Sequence, residues 1–489
     1  MRQAATPFLL FFRSNFVKSS AVCTISTLLL FSSFYSNYFR VASDQWFALQ
    51  NRDMESHVIG RLVKSRQDGV FSAGGLIGFG SPGTAPVLYS NQTFESQYLA
   101  YTDGLKFSYY LPYKSQNGGQ GLIFGLLDRL ISTDAESKLR VFHILTALLS
   151  ALTLALIGLW FFKEFGLCVS LFTMGSAVLS QWMVVFGRNL FWSLWAFYIP
   201  MLAAMYSLHN RPMDFPHRAQ LALIVFISTF IKCLMNGYEY ITVALLMIIC
   251  PFIYYGIAHS WGGRELIKTS VFVMLAAAGA VLLSVTILCV QIGSAEGSAS
   301  AGVYHLFDAF ERRTYPEPER FGLEHGENLK INPRPNQIVL KYLVGEDAGF
   351  TRGTFFDFND YIYSRWYISG VLVAIRSLSK SYVPEYVFKI RYFYLLIGFL
   401  FASIYLLRAH RALRGDDLRL KDFALVSTTW VSLLAPLSWF YIFNQHSYIH
   451  TQMNFIVWQM PFTIFGFAVC GAAARLFVRG LLQNRGTIR

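Results

Sequence analysis

The chain has 489 residues, 54% of them hydrophobic, 17% aromatic and 14% charged, with a mean hydropathy of +0.41. Soluble domains carry about 25% charged residues, so this composition excludes an ordinary soluble protein and points to one built into a bilayer. The net charge of +13 does not mark a nucleic-acid partner: residues 40–140 hold ten Lys/Arg against nine Asp/Glu, residues 293–390 hold eleven against twelve, and the excess lies mainly in short loops and tails, as the positive-inside rule expects.

Apolar runs long enough to cross a membrane, about 17–25 residues each, fall near 21–39, 139–162, 167–187, 190–208, 219–235, 240–258, 269–292, 391–408, 423–443 and 453–474. The expected architecture is therefore an all-α polytopic membrane protein with about ten transmembrane helices. Arg2, Arg13 and Lys18 precede the first run, which lacks a small-residue cleavage site and reads as an anchor with a cytoplasmic amino terminus. Counting forward puts the basic segments 211–218, 264–268, 408–421 and 475–489 on the cytoplasmic side and the two long neutral segments outside. Five parts follow: 1–39 (tail and first helix), 40–138 (first outer loop), 139–292 (six-helix core), 293–390 (second outer segment) and 391–489 (last three helices and basic tail). All six cysteines (Cys23, Cys168, Cys233, Cys250, Cys289, Cys470) lie in apolar runs, which argues against a disulfide framework. Asn91-Gln92-Thr93 is a sequon of low specificity.

The first outer loop opens with Asn51-Arg52-Asp53-Met54-Glu55-Ser56-His57. Asp53 and Glu55 share a face if the segment is extended and diverge by about 200° if it is helical. Such a pair can divide the work of a general base and of a group that orients an acceptor or a metal; it also suits a solvated loop or a set of partners for Arg52 and Arg61. Asp44 and Glu95 are further acids of the same loop. Ser56 to Arg66 places Val58, Ile59, Leu62 and Val63 along one side, predicting an interfacial amphipathic helix. The Gly-rich stretch 69–83 predicts irregular chain, and residues 119–131 a second amphipathic helix. In the second outer segment, Arg312, Arg313 and Arg320 lead into a Pro-rich and then aromatic stretch, too long for a passive linker and suited to a lid.

Between apolar runs, Gly187-Arg188-Asn189 and Asn236-Gly237-Tyr238-Glu239 form tight outer hairpins. Arg188, Lys232 and Glu239 stand at run ends, where ionisable groups are functional candidates by default; the cations suit a lipid phosphate or simple snorkelling and pairing with Glu239. His446 and His450, spaced i, i+4, suit hydrogen bonding to phosphate or sugar, an aromatic belt, or a metal, although no nearby Glu completes a zinc-protease motif. No cofactor is firmly implied; a divalent metal is compatible with the acids. No P-loop, nucleophile elbow or dinucleotide fingerprint in strand–helix context is present.

This plan, together with Ser115-Gln116-Asn117-Gly118-Gly119-Gln120-Gly121, Gly187-Arg188-Asn189-Leu190-Phe191-Trp192, Gly237-Tyr238-Glu239-Tyr240 and Ser438-Trp439 followed by His446-Ser447-Tyr448-Ile449-His450, resembles bacterial members of the GT-C superfamily of integral membrane glycosyltransferases, which use polyprenyl-phosphate-linked sugars. The likeness covers nearly the whole chain. It implies a GT-C-like fold with two long periplasmic segments, in the bacterial inner membrane. It further implies a first-loop carboxylate, Asp53 or Glu55, as general base in an inverting transfer to a glycan or lipid acceptor; Asp-Met-Glu departs from the adjacent acidic pair of some members and leaves the choice open. Arg188, Lys232, His446 and His450 are the implied phosphate ligands, with Arg312, Arg313 and Arg320 of the late segment in second rank. His57, Glu95, Gln116, Gln120, Tyr238 and Glu239 are the candidate substrate contacts. The competing readings are a transporter or flippase for a lipid-linked sugar, an oligosaccharide ligase or polymerase, and a scaffold of envelope assembly. The absence of an internal repeat and of mid-helix acids counts against transport.

Overall fold

The computed structural model describes residues 16–82, 91–209, 214–314, 334–345, 354–357, 389–412 and 416–486. The first apolar run forms α1 (Phe16–Ser36). Asn37 ends it in a left-handed conformation (φ 49°), its amide exchanging hydrogen bonds with the backbone of Ala42. Ser43 then caps α2 (Asp44–Asp68) by accepting from the Trp46 N–H.

α2 carries the acidic motif, so Asp53 and Glu55 are on a helix and do not share a face. It is also not the one-sided interfacial helix that its periodicity predicts: every residue from Glu55 to Val63 is buried. Arg61 explains the inversion. Its guanidinium donates to the carbonyls of Ser72 (2.5 Å), Gly69 (3.3 Å) and Val70, folding the following loop over the polar side. That loop is more regular than its glycines suggest. After a 3₁₀ turn at Ser72–Gly75, β1 (Gly78–Ser81) pairs antiparallel with β2 (Tyr109–Pro112). Glycine is needed at Gly80 because a Cβ there would lie 2.0 Å from the Phe107 ring. Between the strands, α3 (Asn91–Asp103) clamps β1 through Gln97, which accepts from the Gly80 N–H (2.9 Å) and donates to the Gly80 carbonyl (2.8 Å).

α4 (Gly119–Leu130) has an inverted polarity. Gln120 and Asp128 are buried, whereas Ile123, Leu126 and Leu130 are exposed. Asp128 accepts two bonds from Arg66 and one from the Tyr101 hydroxyl. An apolar stripe that points outward while polar groups point inward suits lipid better than water.

The core begins with α5 (Ala135–Phe165), followed by α6 (Leu167–Val178) and α7 (Gln181–Gly187), which meet at 69°. Then come α8 (Leu194–Leu208), α9 (Phe215–Asn236), α10 (Ile241–Ala258) and the 34-residue α11 (Gly263–Glu296). α12 (Ala299–Thr314) folds back on α11, where a Cβ on Gly302 would meet the Cys289 carbonyl at 2.3 Å. Val303, Tyr304, Phe307 and Phe310 of α12 are exposed. The described parts of the later segment are α13 (Pro335–Val344) and the two-residue pair β3 (Phe356–Asp357) and β4 (Lys389–Ile390). α14 (Tyr392–Ala412), α15 (Asp416–Ser432), α16 (Leu434–Ile442), α17 (Asn444–Ile449), α18 (Thr451–Asn454) and α19 (Phe462–Gly486) complete the chain.

The protein is thus all-α and polytopic. Among the described residues, eight helices are long and apolar enough to cross a bilayer, or nine if α6 and α7 form one broken span. The run at 190–208 yields only the 15-residue α8, because residues 190–193 are drawn into the polar end of the bundle. There Asn236 exchanges two hydrogen bonds of 3.0 Å with Ser193. At the opposite end, Glu164 at the foot of α5 meets Tyr254 and Tyr255 of α10, His209 and Lys421. All six cysteines are free thiols.

Candidate active site

Glu55 lies at the end of the bundle that carries the α2–α4 loop, and its side chain is 2% exposed. One oxygen accepts from the Leu190 N–H (2.9 Å), the other from the Tyr98 hydroxyl (3.1 Å), and His143 Nε2 stands 3.2 and 3.0 Å from the two. Three elements therefore converge on one carboxylate: α3, α5 and the α7–α8 loop. Burial pushes its pKa up, but His143, the Leu190 N–H and the nearby Arg188 outweigh that and leave it below the ordinary Glu value. The group is an ionised carboxylate held in a dry place.

His143 and Tyr98 were not singled out in the sequence. The available signal for His143 was a lone imidazole inside an otherwise apolar run, which is a functional flag in its own right. Asp53 lies in the same helix, but its side chain is outside the described residues. Its position falls two turns after Trp46 and one turn before His57, both buried.

Arg188 donates to the Tyr35 carbonyl at 2.9 Å and lies over the Phe47 ring at 4.3 Å. The loop it begins is knitted by Asn189, whose Oδ1 accepts from the N–H groups of Phe191 (2.9 Å) and Trp192 (2.7 Å). Asn236 joins this loop to the α9–α10 turn, where a second polar cluster sits. Lys232 is fully buried and donates to the carbonyls of Gly237 (2.8 Å) and Glu239 (2.7 Å), so its ammonium shapes the turn. Glu239 projects from that turn. Its Oε1 is 3.3 Å from Arg313 of α12 and its Oε2 is 3.6 Å from His446 Nε2. Glu239 Oε2 and His446 Nδ1 are buried and make no hydrogen bond among the described residues. Burial, with Arg313 adding, pushes His446 down to about 3, so it is a neutral imidazole. The His450 ring lies 4.7 Å from that of His446.

The structure thus gathers Lys232, Glu239, Arg313, His446 and His450 into one cluster, and Glu55 with Arg188 into a neighbouring one. Gln116 and Gln120 are buried between them: Gln120 Nε2 donates to Gln116 Oε1 at 3.0 Å, and a Cβ on Gly237 would touch Gln116 Cβ at 2.5 Å. Tyr238 reaches Ser284 at 3.2 Å. His57 stands apart, wrapped by Phe79, Tyr113 and Phe191, with burial holding it at about 3. Glu95 is an exposed partner of Arg52 at 2.6 Å, and Asp44 is exposed in the first turn of α2. The Arg312 side chain and Arg320 are outside the described residues. Among the described residues no three His, Cys, Asp or Glu converge as a metal site.

No family model matches the sequence, and no curated protein matches it. Among solved structures, the chain is similar to the oligosaccharyltransferase of Archaeoglobus fulgidus in its apo form, with 12% identity and a TM-score of 0.44. The match covers 97% of this chain and 52% of that one, so the chain spans about half its length.

Proposed function

We propose that this protein is a membrane glycosyltransferase that moves a sugar from a polyprenyl-phosphate donor to a glycan or lipid acceptor, with inversion. The reaction would occur at the bundle end that bears α2, facing the periplasm of a bacterial inner membrane. One observation carries the reading: an ionised, nearly water-free carboxylate, Glu55, shares that end with the Arg313–His446–Lys232 cluster and with a helix, α4, whose exposed stripe is apolar. A donor of this class keeps its tail in lipid and its phosphate at headgroup depth, and so needs all three features within one site.

In the transfer, the acceptor oxygen forms a bond to the anomeric carbon as the bond from that carbon to the phosphate oxygen breaks. The phosphate leaves with the electron pair on its lipid, and the acceptor proton passes to the α2 acidic motif or to a group that it governs. Arg313, now held by Glu239, is the cation best placed to exchange that partner for a phosphate. Neutral His446 can donate a hydrogen bond to it. Lys232, committed to two carbonyls, adds charge without contact. Low water content strengthens each of these attractions.

The test is to incubate purified protein with a panel of radiolabelled polyprenyl-phosphate sugars and membrane lipid extract. Transfer by the wild type that is lost in Asp53→Asn or Glu55→Gln supports the enzyme. Full activity in the double variant removes the motif from the chemistry. Movement of labelled lipid across vesicles without transfer identifies a flippase instead.

A further inference from the structure

The proton acceptor of this reaction is open to a sharper assignment, which rests on the glycosyltransferase reading above. Both oxygens of Glu55 are already taken: Leu190 N–H, Tyr98 O–H and His143 Nε2 all converge on them at 2.9–3.2 Å. An ionised carboxylate can only accept, so the Nε2 that faces it must carry the proton, and this sets the tautomer of His143. In the neutral imidazole, the form that can take a proton, the lone pair is then on Nδ1, which makes no hydrogen bond among the described residues. The His143 side chain is 18% exposed, against 2% for Glu55. A base oriented by a third group through its far nitrogen is a known way to activate a hydroxyl.

We propose that His143 and Glu55 form a dyad in which His143 Nδ1 removes the acceptor proton and Glu55 is the positioning residue behind it. The acceptor O–H proton moves to Nδ1, the oxygen's electron pair forms the new glycosidic bond, and the phosphate departs with the pair from the broken one. The resulting imidazolium is stabilised by the Glu55 carboxylate at 3.0 Å. The proton is released to water after the product leaves.

The decisive variant is His143→Gln, whose side-chain amide N–H can still donate to Glu55 but whose carbonyl cannot take a proton. A fold-neutral loss of about 10²–10⁴ in kcat is expected, the usual worth of general-base catalysis. His143→Ala should lose as much and recover at least about tenfold with added imidazole, which a purely structural role would not allow. Glu55→Gln should fall by a similar factor without responding to imidazole. Melting curves in detergent verify that each variant is folded. Wild-type transfer together with an active His143→Gln protein, or with complete loss in Asp53→Asn alone, overturns the dyad and leaves the glycosyltransferase standing. No transfer by the wild type with any donor overturns both.

Discussion

Glu164 offers the most direct check on how the far end of the bundle is held together. Its carboxylate is 4% exposed and has four neighbours from three parts of the chain. Oε1 meets His209 Nδ1 (2.7 Å) and the Tyr255 hydroxyl (3.3 Å), while Oε2 meets the Tyr254 hydroxyl (3.0 Å) and Lys421 Nζ (2.8 Å). Glu164→Ala would leave two buried hydroxyls and an imidazole short of an acceptor, at about 1–3 kcal/mol for each group that finds no substitute. The Tyr255 hydroxyl and His209 Nδ1 stand 3.2 Å apart and can satisfy one another, and Lys421 is 38% exposed, so it turns to water at little cost. The net loss is about 3 kcal/mol, at the lower edge of what breaking a buried pair costs. For a chain of this length the entropy of unfolding converts that to about 3 °C in Tm, read by differential scanning fluorimetry in detergent. A double-mutant cycle gives the sharper test: Glu164 should couple to Tyr254→Phe by about 1 kcal/mol and to Lys421→Ala by less than half of that. Equal coupling to both, or none to Tyr254, would refute the view that buried hydroxyls and not the ion pair dominate this junction.

Three further outcomes are expected. Gly80→Ala, with its Cβ forced to within 2.0 Å of the Phe107 ring, should destabilise the pairing of β1 with β2 by about 1–3 kcal/mol, read as a lower Tm in detergent. Gly237→Ala combines a φ of +55° with a contact of 2.5 Å to Gln116 Cβ. It should cost at least about 1–2 kcal/mol from the left-handed backbone alone and reduce transfer by displacing Glu239. Acidification should lower Tm in two stages. His57 and His446 bind protons in the unfolded chain near 6.5 but in the folded one only near 3, so their contribution is full above pH 6.5 and fades from there towards 3. Glu55, held below its ordinary 4.5, adds a further loss as pH falls beneath that value. His57→Phe should flatten the first stage; a Tm independent of pH between about 7 and about 4 would contradict it.

The hydropathy pattern determined that this is a polytopic helical protein, because the cost of leaving backbone groups unpaired in lipid makes an apolar run of span length a helix with few alternatives. The two hairpin breaks at Arg188 and Asn236 were equally legible, since polar residues between apolar runs have to gather at a membrane boundary. What the residue pattern did not contain was the direction in which polar side chains face. Periodicity leaves Arg61 off the apolar side of the helix, but the carbonyls of Gly69, Val70 and Ser72 satisfy its guanidinium and turn that side inward. It left Asp53 and Glu55 equivalent, whereas the fold brings Glu55 to His143, 88 positions later in the chain. Lys232, ranked ahead of Arg313 as a phosphate ligand by the sequence reading, differs from it in kind: one ammonium is spent on two backbone carbonyls, and one guanidinium holds an exchangeable carboxylate. Local sequence sets which residues are apolar enough to enter the bilayer. Only the packing of distant helices decides which of the remaining charges meet, because a buried charge takes whatever partner the fold brings within hydrogen-bonding distance.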